Sequence, residues 1–240
     1  NARLYIERYA KMGGDISNFK KNPSLPTGRC LCMISGDSQR TMRTDLAAAM
    51  TISPMDISEP DFKGFNLLHM EGYLLFNPEL ALKIHRCAKK NSCKISLDLS
   101  SFEVVKSAGK KLKELLSEYV DIVFANEDEA SAFSNGGAAE KSIDALSEIC
   151  EVAAVKLGAN GAMIKRGSEK VSVKALKVAA VDTTGAGDMW ASGFLYGLLN
   201  GKDLETAGNY GSLLGAEVVK IFGAGIPESA WSRIRKKILK

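Results

Sequence analysis

From residue 66 to residue 157, short apolar runs alternate with longer amphipathic ones, and the links between them are brief. Few folds accept this pattern. Consecutive strands joined through a helix run parallel, and a parallel sheet must be covered by helices. Residues 66–70, 94–99, 121–125 and 152–157 read as strands. Residues 78–89, 102–119, 127–133 and 141–149 read as helices, the first with a proline in its opening turn. Residues 162–165 and 171–180 are expected as antiparallel edge strands, and 187–199, 204–221 and 228–239 as three closing helices. Upstream, 2–12 reads as a helix, and 47–57 as helix or tight loop. Residues 29–35 and 39–44 read as two strands joined at Gly36-Asp37, a hairpin appended to the main sheet. The fold class expected is α/β, a mainly parallel sheet with helices on both faces, in a single domain over 1–240.

Composition narrows the function classes. The 240 residues are 45% hydrophobic and 25% charged, which suits a globular chain with a substantial core. A formal charge of +4 would help recruit a polyanion, but it is too mild to indicate a nucleic-acid binder. No apolar run has the length of a membrane span, so neither nucleic acid nor membrane is expected as a partner. Five cysteines at scattered spacing make no disulfide framework. Cys30-Leu31-Cys32 places two thiols on one side of a strand, expected as a buried apolar pair. Free thiols fit a reducing compartment, so the cytoplasm is expected, with an organelle left open. Two histidines exclude a histidine-based metal cluster.

The run Val181-Asp182-Thr183-Thr184-Gly185-Ala186-Gly187-Asp188 leads from an expected strand through small residues into the apolar stretch that begins at Met189. A strand, a glycine turn and a helix start form a device for holding an anion. Gly185 and Gly187 carry no Cβ, so a phosphate can approach the backbone. The free N–H groups of the first helical turn point at it, and the helix dipole adds positive potential. Asp188 would repel phosphate, which suggests another task, accepting a proton from a hydroxyl that attacks phosphorus.

Residues 182–194 (DTTGAGDMWASGF) resemble the second motif of the ribokinase/PfkB carbohydrate kinases. The resemblance implies that Gly185, Ala186 and Gly187 form an anion hole and that Asp188 is the catalytic base. Asn126 and Glu129 match the family's N-x-x-E motif, which implies that they help hold Mg2+ and phosphate. Lys156-Leu157-Gly158-Ala159-Asn160-Gly161 resembles the nucleotide loop, with Gly158 and Gly161 near the ATP phosphates. The family commonly has Thr or Ser where Lys156 stands, and a lysine there could meet phosphate as a point charge. The adenine is implied to lie near Asn209 and Gly223. Asp182 and Thr184, with Gly223-Ala224-Gly225, match positions that hold a monovalent cation, K+, in many relatives.

Asp98 closes an expected strand and is assigned to the acceptor substrate, as are Asp188 and Arg43, the latter reaching over from the 29–44 hairpin. That hairpin resembles the lid of adenosine-kinase-like members, and lids of this kind sometimes pair two copies into a homodimer. Glu71-Gly72-Tyr73 leans towards adenosine-kinase-like or fructokinase-like members. The family usually has an earlier stretch with a Gly-Gly motif and an acidic residue that grip the sugar, and neither occurs here. The implied function is transfer of the ATP γ-phosphoryl group to a primary hydroxyl of a sugar or nucleoside. The alternative is a non-catalytic nucleotide-binding or regulatory protein derived from such a kinase. A Rossmann-type dehydrogenase lacks its early G-x-G-x-x-G, and no G-x-x-x-x-G-K-[ST] P-loop occurs.

Overall fold

The computed structural model describes residues 2–36 and 40–239. Six strands form the main sheet: β3 (Leu67–Glu71), β4 (Lys94–Asp98), β5 (Ile122–Asn126), β6 (Val152–Lys156), β7 (Ala162–Arg166) and β8 (Glu169–Val173). They lie in sequence order across the sheet. The first four are parallel, and β7 and β8 turn back antiparallel. β1 (Arg29–Ile34) and β2 (Arg40–Asp45) make a separate antiparallel pair. The expected turn between them falls at Gly36-Asp37, of which Asp37 lies outside the described residues, as does Gln39, the expected first residue of β2.

Three crossovers link the parallel strands: α2 (Pro78–Lys90), α3 (Phe102–Tyr119), and the pair α4 (Glu127–Phe133) and α5 (Ala139–Ser147). Crossovers of one hand between strands taken in order put every connecting helix on the same face. The core confirms it. Ile95, Leu97, Val123, Ala125, Ala153 and Val155 pack with residues of α2 to α5. Their alternates Ile122, Phe124, Val152, Ala154, Ala162 and Ile164 pack with Trp190, Phe194 and Ala207 on the opposite face. Those last belong to α6 (Ala186–Leu199) and α7 (Leu204–Val218), which α8 (Glu228–Ile238) covers in turn. Strands buried on both sides need apolar residues at nearly every position, which is why they read as short unbroken runs.

Local signals set the helix starts. Asn77, Ser101 and Asp203 each accept the backbone N–H three residues on, so α2, α3 and α7 begin where a short polar side chain caps them. Pro78 occupies the first position of α2, where its missing N–H costs nothing. α3 spans the residues expected, although Gly109 leaves helical geometry at φ 48°.

Two expectations change, and the alternative left open over 47–57 is resolved. The strand expected over 171–180 ends at Val173, because Val173 pairs with Ala162, the first residue of β7, and among the described residues no strand pairs with the chain beyond it. Val181 and Asp182 accordingly lie in irregular chain, their N–H groups held by the Val219 carbonyl at 2.7 and 3.3 Å. Residues 47–57 form two short 3-10 turns. Cys30 and Cys32 do share one side of β1, with sulfurs 3.9 Å apart, but both are exposed. Every residue of β1 and β2 but Ile34 is exposed, so among the described residues no helix or strand covers the pair. The helix expected upstream is α1 (Ala2–Lys11). No helix among the described residues is long and apolar enough to cross a membrane.

Candidate active site

Parallel strands end on a common rim, and the residues that end these four are chemically marked. Glu71 closes β3, Asp98 β4, Asn126 β5 and Lys156 β6. In register, Glu71 lies beside Asp98 and Asn126 beside Lys156. The rim is the C-terminal one, where open α/β sheets bind ligands.

Lys156 Nζ donates to Asp98 Oδ2 at 2.5 Å, with both side chains largely buried. Asn126 and Glu129 bracket the start of α4 reciprocally. The Glu129 N–H donates to Asn126 Oδ1 at 2.9 Å, while Asn126 N and Nδ2 donate to the two Glu129 carboxylate oxygens at 2.8 Å each. Glu129 is only 3% exposed. Burial pushes its pKa up to about 7, Asp98 and Glu71 add to that, and the Asn126 N–H and Lys156 oppose it. The N-x-x-E pair is therefore a helix cap first. Its remaining lone pairs suit a hydrated cation, since among the described residues no group of three His, Cys, Asp or Glu could hold a metal directly.

Across the rim stands the start of α6. Gly185 is left-handed at φ 76°, and a Cβ there would come within 2.7 Å of the Ala224 Cβ. The Ala186 N–H is committed to the Thr183 carbonyl at 3.2 Å. The N–H groups of Gly185, Gly187 and Asp188 find no acceptor among the described residues. The Asp188 carboxylate is exposed and accepts no hydrogen bond from a described residue. Partial enclosure, then Glu71 and Asp98, raise its pKa above the ordinary aspartate value, and Lys156 and Arg40 pull the other way. Three unpaired donors beside an uncommitted carboxylate can hold an anion and take a proton at one place.

Asp182 fastens this loop. Oδ1 accepts the Thr184 N–H and Oδ2 the Gly223 N–H, each at 2.8 Å, and the Thr184 side chain, then these two N–H groups, hold its pKa below the usual value. Asp182, Thr184 and the 223–225 loop thus meet, and the buried Thr184 Oγ1 makes no hydrogen bond of ordinary geometry among the described residues. Gly158 is left-handed (φ 54°) with open space where a Cβ would lie. Gly161 is different. A Cβ there would lie 2.0 Å from the Val173 carbonyl oxygen, so glycine is needed for packing. Asn209 is exposed on α7, nine residues or about 13 Å of helix axis before Val218, and no hydrogen bond joins it to Gly223.

Arg43 does not face the site. Positions three apart on a strand point to opposite sides, and Arg40 is the one that reaches the loop, donating to the Thr183 carbonyl and hydroxyl at 3.1 and 3.0 Å. Glu71 and Ser100 also belong to the rim. Ser100 is left-handed at φ 66°, and its hydroxyl donates to Glu71 at 2.8 Å and accepts the Gly72 N–H at 2.7 Å. His69 beside Glu71, together with Ser100, holds the Glu71 carboxyl below its ordinary pKa. The signal for Glu71 was its place at a strand end. A glycine at residue 72 completes it, since a Cβ there would meet the Leu99 carbonyl oxygen at 2.5 Å.

The chain is similar to known proteins in sequence and in fold. An uncharacterized sugar kinase of Archaeoglobus fulgidus is 30% identical over 207 residues, 85% of this chain and 81% of that protein. A 5-dehydro-2-deoxygluconokinase of Bacillus licheniformis is 31% identical over 188 residues, 74% of this chain, which spans 58% of the relative's length. The crystal structure of adenosine kinase from Sinorhizobium meliloti superposes with a TM-score of 0.90 at 29% identity, over 98% of this chain and 73% of that one. The model of the pfkB family carbohydrate kinases matches residues 2–231, and the chain belongs to that family.

Proposed function

We propose that this chain transfers the γ-phosphoryl group of ATP to a primary hydroxyl of a sugar or nucleoside, with Asp188 as general base and the N–H groups around Gly185, Ala186 and Gly187 as the anion hole. One observation carries this reading. The N–H groups of Gly185, Gly187 and Asp188 and the carboxylate of Asp188 find no partner among the described residues at the start of one helix. Phosphoryl transfer asks little covalent chemistry of a protein. It needs the attacking and leaving oxygens in line and the developing charge met by fixed dipoles.

In this arrangement the phosphates lie along the loops at Gly158 and Gly185 to Gly187, and the adenine between α7, near Asn209, and the Gly223 loop. Mg2+ supplies charge neutralisation on the phosphate oxygens when bound, and Asn126 and Glu129 would hold it through water. Asp182 keeps the anion loop against the 223–225 loop, and with Thr184 it forms the place suited to K+. Asp98 and Glu71 face the acceptor from the rim, and Arg40 closes over it from the lid. Leu31, Met33 and Met42 leave the lid with exposed apolar surface, which supports a second copy pairing there.

The test is a panel of sugars and nucleosides with ATP and Mg2+. Transfer to at least one of them is expected, and Asp188→Asn should slow it by roughly 10² to 10⁴ while ATP binding survives. Near-normal turnover in that variant removes Asp188 from its role. Binding without transfer to any acceptor favours the non-catalytic reading.

A further inference from the structure

Lys156 is the side chain on which the rim's charges converge. Its Nζ touches Asp98, and it also lies 3.2 Å from the point that a Cβ on Gly187 would occupy. The ammonium thus stands beside Gly187 in the first turn of α6. The titratable and charged groups facing the Asp188 carboxylate are Glu71 from β3, Asp98 from β4, Lys156 from β6 and Arg40 from β2, and Glu129 from α4 faces the same Lys156. Arg40 is tied to Thr183, which leaves Lys156 as the cation at the centre of four acids. Asp98 uses one of its three donors. A pair this buried contributes little to stability, since desolvation offsets most of the attraction. It does hold a charge in one place.

We propose that Lys156 is a catalytic cation, held in position by Asp98, whose ammonium donates to the migrating phosphoryl group at the anion loop. The proposal rests on the phosphotransferase reading and deepens it. In the step itself, the bond from γ-phosphorus to the oxygen bridging it to the β-phosphate breaks, and a bond to the acceptor oxygen forms. The hydroxyl proton goes to Asp188, and ADP leaves with the electron pair of the broken bond. Lys156 keeps its proton throughout and lends only hydrogen bonds and charge. A methyl group at residue 187 would lie 3.2 Å from the ammonium and would press it back by a few tenths of an ångström.

The experiment compares wild type with Lys156→Gln, Lys156→Ala and the double variant Lys156→Met/Asp98→Asn, using ATP and Mg2+ with an acceptor from the panel. The expected result is a fall in kcat of roughly 10²-fold or more in each. KM for ATP should change less than tenfold, and ethylammonium should partly restore Lys156→Ala. A kcat within threefold of wild type, or a loss that ethylammonium leaves untouched, overturns the proposal. The double variant removes both charges together, so its folding does not depend on an orphaned carboxylate. A wild-type rate in it overturns the proposal as well. The 31P resonance of the γ-phosphate of bound AMP-PNP with Mg2+ gives a reading that needs no acceptor. It should differ between wild type and Lys156→Gln, and identical spectra sink the role of Lys156. Absence of transfer by wild type sinks the kinase reading alone.

Discussion

Glu129 shows how one residue serves two ends that conflict. Its carboxylate caps α4 and faces the rim, yet it is buried beside Asp98 and Glu71. Its pKa rises from an ordinary 4.5 to about 7, so the folded state holds this proton more tightly than the unfolded chain does. The group imposes no cost below about pH 4.5, and its full cost above about pH 7, at most about 3 kcal/mol. Glu129→Gln should therefore narrow the loss of stability between pH 5 and pH 8, measured by urea unfolding at the two pH values. The same variant should lose Mg2+-dependent transfer. An unchanged pH dependence would mean that the carboxyl is not the group responsible. Asp188 behaves similarly, and the acid limb of kcat/KM should lie above the ordinary aspartate range, since activity needs its carboxylate ionised.

At the scale of elements, α6 carries the anion loop, and its position is set by close approach to α7. A Cβ on Gly193 would meet the Tyr210 carbonyl oxygen at 2.5 Å, and one on Gly197 the Cα of Ala207 at 2.7 Å. On the other helix, Gly211 lies against the Trp190 ring. Phe124 from the sheet packs edge-on to both Trp190 and Phe194. The glycines let the two backbones come together, and the aromatic trio fixes the height of α6 above the sheet. Gly193→Ala should cost about 1–3 kcal/mol in chemical denaturation, because the clash is with backbone. It should also slow transfer, since moving α6 moves Gly187 and Asp188. Full activity in a destabilised Gly193→Ala variant would show that the loop is held independently, through Asp182.

At the scale of the molecule, the rim is built on the buried sheet and the lid is not part of its core. Every residue of β2 and all but Ile34 of β1 are exposed, and the attachment of the lid to the anion loop includes Arg40 on Thr183. Stability and lid function should therefore separate. Arg40→Ala should leave the thermal midpoint within a few degrees of wild type while lowering kcat/KM for the acceptor roughly tenfold, about 1.4 kcal/mol. Arg43→Ala, on the opposite face, should lower neither. Equal effects from the two substitutions would contradict the assignment of the lid's inner face.

What the sequence determined by itself was whatever can be encoded in a short window. The order of strands and helices, the caps at Asn77, Ser101 and Asp203, the glycine loop before α6 and the bracket of Asn126 with Glu129 all depend on residues within a few positions of one another. The family resemblance rests on those same local runs. The tertiary structure decided every pairing across distance. Lys156 meets Asp98 58 residues away, and Arg40 meets Thr183 143 residues away. The end of β8 depends on where β7 begins, and the exposure of Cys30 and Cys32 depends on no layer covering the lid. Local periodicity says which side of a strand a residue takes. Only the assembled sheet says which neighbour stands on that side, because strand order and register are set by burial of the whole core.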